Sequence, residues 1–130
     1  MITHFILYVR NQESSTKFYS AVLSMEPGLN VPGMTEFKLG ESCTLGIMPE
    51  AGIKRLLGPE LPDPAAANGI PRAEVYLLVE DATDYLSRAV RLGAQALSNV
   101  APRDWGHSVG YCMDADGHVL AFAEVSGCSP

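Results

Sequence analysis

The sequence predicts an α+β fold made of two βαβββ modules, whose paired curved mixed sheets form a cleft for a small molecule. Three observations carry this expectation. Two segments open alike: His4-Phe5-Ile6-Leu7-Tyr8-Val9 precedes Arg10-Asn11, and Glu74-Val75-Tyr76-Leu77-Leu78-Val79 precedes Glu80-Asp81. Each opening is followed by a stretch with helical period and then by β-like pieces around a tight turn. Between the two copies lies a segment, Pro49 to Arg72, rich in Pro and Gly.

In the two opening strands Phe5, Leu7, Val9 and Val75, Leu77, Val79 alternate as apolar sets, the period of a strand face turned to a core. Asn11 can cap the first helix, where Phe18, Tyr19, Val22 and Leu23 share a stripe. Asp81 can cap the second, with Asp84 in its first turn; Tyr85, Leu86, Ala89, Val90 and Leu92 form its apolar face, and Gly93 stops it. Short strands are expected near Leu29–Val31 and Gln95–Ser98. Hairpins follow: Thr35–Leu39 with Cys43–Met48 about Gly40-Glu41, and Ser108–Met113 with His118–Glu124 about Asp114-Ala115-Asp116-Gly117. The expected boundaries are one domain over 1–126, with module one at 1–49, a linker at 50–72, module two at 73–126 and a flexible tail at 127–130. The linker reads as irregular, with room for one short helical turn.

The chain has 130 residues, 47% of them hydrophobic, enough for one sizeable core. Nine Lys and Arg stand against fifteen Asp and Glu, for a net charge of −6. No basic stripe exists, so a nucleic-acid partner is not expected, whereas a cationic ligand is compatible with the acidic balance. The start Met-Ile-Thr-His lacks a secretory signal's basic and apolar regions, and no apolar run reaches membrane-spanning length. Cys43, Cys112 and Cys128 are odd in number and show no CxxC spacing, so reduced thiols in a cytoplasmic protein without a membrane partner are expected.

Strand parity assigns the second face of each sheet. If Phe5, Leu7 and Val9 are buried, then His4, Ile6 and Tyr8 point the other way, as do Glu74, Tyr76 and Leu78. With Leu45, Ile47, Leu120 and Phe122 in the core, Thr44, Gly46, Met48, Val119, Ala121 and Ala123 join that second face. Aliphatic, aromatic and a few polar groups there describe a pocket lining rather than a solvated surface.

These residues resemble the vicinal oxygen chelate superfamily, which contains glyoxalase I, extradiol dioxygenases and bleomycin resistance proteins. The resemblance rests on His4-x-x-Leu7-x-Val9, Phe18-Tyr19-x-x-Val22-Leu23, the repeat at Glu74, and Asp114-x-Asp116-Gly117-His118-Val119-Leu120, with Ala115 where Pro is usual. It implies the glyoxalase/bleomycin resistance-type fold, and for proteins of this length a homodimer. In the family's metalloenzymes a divalent metal is held by His or Glu at positions matching His4, Gly46, Glu74 and Ala121. His4 and Glu74 can ligate a metal; Gly46 and Ala121 have no donor side chain. No complete metal site and no cofactor are therefore expected, the alternative being divalent nickel, zinc, manganese or iron. Of the other donors, His118 falls by parity on the Leu120 side, His107 precedes a strand, and Glu50 leaves the strand after Pro49.

The resemblance makes His4 and Glu74 face one another, either as a polar pair that orients a ligand or exchanges a proton, or as a structural pair. They are the candidate catalytic groups. Trp105 either stacks on a ligand or packs at an edge, with Arg103 and Asp104 as rim charges. Phe37, Tyr76 and Tyr111 either wall the pocket or fill the core. Asp114, Asp116 and Gly117 read as a hairpin turn rather than a calcium loop. The expected function is small-molecule binding through His4, Tyr8, Met48, Glu74, Tyr76 and Trp105. The alternative is a metal-dependent lyase, isomerase or dioxygenase.

Overall fold

The computed structural model describes residues 1–125; the expected tail at 127–130, with Cys128, lies outside the described residues. In chain order the strands are β1 (Thr3–Val9), β2 (Leu29–Val31), β3 (Met34–Lys38), β4 (Cys43–Pro49), β5 (Glu74–Leu78), β6 (Gln95–Pro102), β7 (His107–Met113) and β8 (Val119–Val125). The α-helices are α1 (Gln12–Leu23), α2 (Glu50–Leu57) and α3 (Ala82–Arg91). Two mixed four-stranded sheets result, ordered β1-β4-β3-β2 and β5-β8-β7-β6. In each, the first strand runs parallel to the last, and the other pairings are antiparallel. The chain divides into two compact units, Met1–Asn68 and a second from Gly69 onward. No helix among the described residues is long and apolar enough to cross a membrane.

In the first unit the Asn11 side chain accepts the Ser14 N–H at 3.0 Å, satisfying one of the orphan donors of α1. The helix buries Thr16, Tyr19, Val22 and Leu23 and packs over β3 and β4, where Phe37, Leu45 and Ile47 are sealed from solvent. A polar knot fixes its first turn. The Gln12 amide donates to the Val31 carbonyl and to Thr35 Oγ1, both at 2.9 Å, and accepts from the Gly33 N–H at 2.9 Å. Thr35 donates its single hydroxyl hydrogen to Asn30 at 3.1 Å, so Thr16, 2.9 Å away, must donate to Thr35. Every polar atom of this buried joint is thereby satisfied.

Phe5 departs from the expected alternating core set. Leu7 and Val9 are buried, but Phe5 is 66% exposed. The reason is coverage: β1 is an edge strand, and α1 lies over its neighbours instead. The segment 50–72 is also more regular than expected. It holds the two turns of α2 and a 3₁₀ turn at Pro64–Ala67. Glu50 opens α2 while Lys54 and Arg55 close it, charges that complement the helix dipole. Ile53 is buried, α2 packs on β4 and β1, and the Lys54 ammonium donates to the carbonyls of Gly58 and Leu61.

In the second unit Asp81 caps α3 by accepting the Asp84 N–H at 3.1 Å, and Glu124 accepts the Ala82 N–H at 2.8 Å. Ala82, Leu86 and Ala89 form the buried stripe over β6, β7 and β8. Val90 and Leu92, expected on that face, are exposed because Val90 lies at the margin of the stripe and Leu92 follows the last residue of the helix. The helix sits directly on the β7 backbone: a Cβ at Gly110 would come within 2.8 Å of Leu86 and of Val100.

The turn between β7 and β8 is organised by Asp114. One carboxylate oxygen accepts the N–H groups of Asp116 and His118, each at 2.9 Å; the other lies 3.0 Å from His118 Nδ1. Arg72 reaches His118 Nε2 at 3.2 Å. A guanidinium only donates, so Nε2 is the acceptor and Nδ1 carries the proton given to Asp114, leaving His118 neutral. The turn accounts for Asp114 and Asp116 as structural residues, as the sequence suggested. Gly117 has φ +90°, and a Cβ there would run into the Gly69 carbonyl.

Two outcomes follow. Gly117→Ala should lower stability by roughly 2–4 kcal/mol, combining left-handed strain with a backbone clash; denaturant unfolding checks this. Burial, reinforced by the Asp114 charge, pushes the Cys112 thiol from 9.0 up to about 11. The folded state thus prefers the neutral thiol. Stability from this source is intact below pH 9 and falls as pH rises through about 11, by roughly 2 kcal/mol. In unfolding measured against pH, Cys112→Ala should flatten that alkaline loss.

Candidate functional site

Each unit packs a helix against one face of its sheet, and the alternate strand positions point to the other face. On the first unit this open face carries His4, Ile6 and Tyr8 of β1 beside Thr44, Gly46 and Met48 of β4, with Met34, Glu36 and Lys38 of β3 in the next row. His4 Nδ1 lies 3.5 Å from the Glu36 carboxylate. Glu36 was not among the residues singled out from sequence. Its signal was the alternation of β3, where Thr35 and Phe37 are buried and the flanking residues face the other way. Tyr8 and Met48 are paired neighbours in register and half-buried. A Cβ at Gly46 would displace the tip of the Ile6 side chain, and glycine itself offers no donor.

On the second unit the open face carries Glu74, Tyr76 and Leu78 of β5; Val119, Ala121 and Ala123 of β8; and His107, Val109, Tyr111 and Met113 of β7. Val109, Ala121 and Ala123 form a fully buried floor with Tyr111 packed against it. Tyr76 and Tyr111 both align with Ala121, one on each flanking strand. At one end of this floor stands an exposed polar–aromatic cluster. The Trp105 indole N–H donates to the Tyr76 hydroxyl at 2.9 Å, and that hydroxyl lies 2.5 Å from His107 Nδ1. Trp105 is 57% exposed. Glu74 and Tyr76, two of the expected ligand residues, therefore share a face, and Tyr76 is in contact with Trp105. His107 was weighed as a metal donor without a demanding reason; the structure gives it Tyr76 as partner. Strand parity from Tyr111 back to His107 was the signal for its face.

Arg103, expected as a rim charge, turns back onto the backbone. Its guanidinium donates to the Val109 carbonyl at 2.8 and 3.3 Å, to the Asn99 carbonyl at 3.2 Å and to Ser98 Oγ at 2.9 Å. Register shifts in β6 on both sides of Ser98 interrupt the ladder there, and the Arg103 fork supplies donors where the strand pairing is irregular. The same guanidinium lies 5.3 Å from the centre of the Tyr111 ring. Burial pushes the Tyr111 phenol up, the Glu74 charge adds to this, and Arg103 partly offsets it. Tyr111 is thus a neutral hydroxyl at physiological pH.

Phe37 belongs to the core, and His118 is buried in the Asp114 turn. Asp114, Asp116 and His118 bring ligand atoms within 4.8 Å of one another. Their geometry is that of a turn, and Arg72 blocks the outer nitrogen of His118 against a cation. At the four positions where the resemblance implies metal ligands, each unit offers one donor: His4 in the first, Glu74 in the second. Ile6 fills the space at Gly46, and Ala121 is buried in the floor. These residues do not fit a catalytic metal, which ordinarily takes three protein ligands.

A lysine at position 103 would keep the charge but lose the fork. Arg103→Lys should cost about 1–2 kcal/mol and raise the mobility of Trp105; unfolding midpoint and Trp105 fluorescence anisotropy check both.

A family model described as the Glyoxalase/Bleomycin resistance protein/Dioxygenase superfamily matches residues 1–122. Among solved structures, a glyoxalase-related enzyme from Fulvimarina pelagi is 19% identical, with a TM-score of 0.80 over 95% of this chain and 87% of that one. A glyoxalase/bleomycin resistance protein/dioxygenase from Nocardioides is 19% identical, with a TM-score of 0.76 over 100% and 87%. A glyoxalase/bleomycin resistance protein from Catenulispora acidiphila is 24% identical, with a TM-score of 0.65 over 96% and 98%. No curated protein matches the chain.

Proposed function

The chain belongs to the Glyoxalase/Bleomycin resistance protein/Dioxygenase superfamily, and from that premise we propose that it binds a small organic molecule without a catalytic metal. The observation that carries this reading is the hydrogen-bonded cluster of Trp105, Tyr76 and His107, in which the Trp105 and Tyr76 rings are exposed to solvent. Exposed aromatic rings held by a few fixed polar groups are a common composition of a ligand site. A rigid aromatic there gives up little conformational entropy on binding. The missing donors at Gly46 and Ala121 support the metal-free part of the reading.

A second reading, a divalent-metal lyase, isomerase or dioxygenase, has one observation in its favour. His4 has a carboxylate neighbour in Glu36, so the first unit holds two potential donors rather than one. The homodimer belongs to the proposal as well. Outer strands β1, β2, β5 and β6 expose Phe5, Leu29, Val31, Leu78 and Leu97 along unpaired sheet edges, which a second copy can cover.

Calorimetric titration with nickel, zinc, manganese and iron(II) should show no stoichiometric binding at micromolar concentration, while aromatic probes quench Trp105 emission. Stoichiometric micromolar binding abolished by His4→Ala, Glu36→Ala or Glu74→Ala would replace the first reading with the second.

A further inference from the structure

We infer that the first unit holds a separate site, a groove beside α2 that binds a small aliphatic zwitterion, with an ammonium and a carboxylate a few bonds apart. It uses none of the residues of the aromatic cluster and does not rest on the reading proposed above. Three observations lead to it: a built groove, a buried carboxylate without a partner, and an unpaired guanidinium on the same lining.

The groove has a volume of about 350 Å³, and Arg10, Glu50, Lys54, Arg55 and Asp63 stand on its lining. One wall is α2, and the other is the start of the 3₁₀ turn at Pro64–Ala67. The two walls are tied together. The helix packs on the turn, and the Lys54 ammonium donates to the Gly58 and Leu61 carbonyls of the chain that leads to it. Asp63 caps the turn by accepting the Ala65 N–H at 3.0 Å. Lys54 and this oxygen of Asp63 are therefore committed to the walls.

Glu50 is only 7% exposed, yet its carboxylate has no hydrogen bond or ion pair with any described residue. Carboxylates buried to this degree ordinarily have donors. The α2 dipole favours the charge without giving it a hydrogen bond. Arg55 is exposed and likewise has no partner among the described residues. Five residues further on, it stands ~7.5 Å from Glu50 along the helix axis. Ala51 lies between their two rows around the helix, and its small side chain leaves the groove open there.

The mixed charge of the lining selects the ligand. An amine alone would meet Glu50 but would also face Arg10, Lys54 and Arg55. A carboxylate alone would meet Arg55 but would also face Glu50 and Asp63. A molecule that carries both groups gives each unpaired side chain an opposite charge and a charge-assisted hydrogen bond. The axial spacing of Glu50 and Arg55 suits an ammonium and a carboxylate separated by a short aliphatic chain rather than by one carbon.

The test is calorimetric titration with 4-aminobutyrate, butylamine and butyrate, which share a four-carbon chain and differ in charge. The zwitterion should bind at least tenfold more tightly than either other probe. Arg55→Gln, an exposed change that leaves the fold intact, should weaken 4-aminobutyrate at least fivefold and leave butylamine no weaker. Glu50→Gln keeps the shape of the buried side chain and should weaken 4-aminobutyrate by a similar factor while leaving butyrate no weaker. Arg91→Gln, on α3 of the second unit, should change none of the three. No binding of 4-aminobutyrate, equal affinity for the three probes, or tighter binding of butylamine or butyrate overturns the inference. So does an Arg55→Gln protein that binds 4-aminobutyrate as tightly as the unaltered chain.

Discussion

One helix can cover only one face of a four-stranded sheet, and the rest of the molecule follows from that. In each unit the first strand pairs in parallel with the last, so the chain between them must cross over the sheet. The crossover helix lands over the two middle strands and seals Phe37, Leu45 and Ile47 in one unit, Leu120, Phe122 and Cys112 in the other. Functional side chains therefore come from the alternate positions of the same strands that build the core.

Coverage of this kind also sets where small residues are needed. Gly110 lets α3 approach the β7 backbone, and Gly46 yields its space to Ile6 on the open face. The two glycines sit on opposite faces: the first lets a helix approach, the second lets Ile6 lie across the β4 backbone. In the second unit Ala121 is a small residue of the same kind, buried with Val109 and Ala123.

Buried polar groups are handled by local closure. Asp114 satisfies two backbone N–H groups and one imidazole, and Arg72 completes that imidazole from the other side. Gln12, Thr16, Thr35 and Asn30 close a similar circuit in the first unit. No buried side-chain nitrogen or oxygen among the described residues lacks a partner. Polar groups held this tightly support the fold.

The sequence by itself determined the repeated βαβββ order, the helix caps at Asn11 and Asp81, the Asp114–Gly117 turn and the two faces of each strand. These depend on period and on residues that act within a few positions, which a linear pattern records. It also marked Gly46 and Ala121 as positions without donors, since a missing side chain is legible anywhere. Only the tertiary structure decided that Phe5 is uncovered, that α2 forms within 50–72, that Glu36 stands beside His4, and that His107 and Trp105 converge on Tyr76. Each of those depends on which strands lie next to one another and on where a helix lands. Strand order and helix placement are set by the packing of the whole sheet, so no local run of residues carries them.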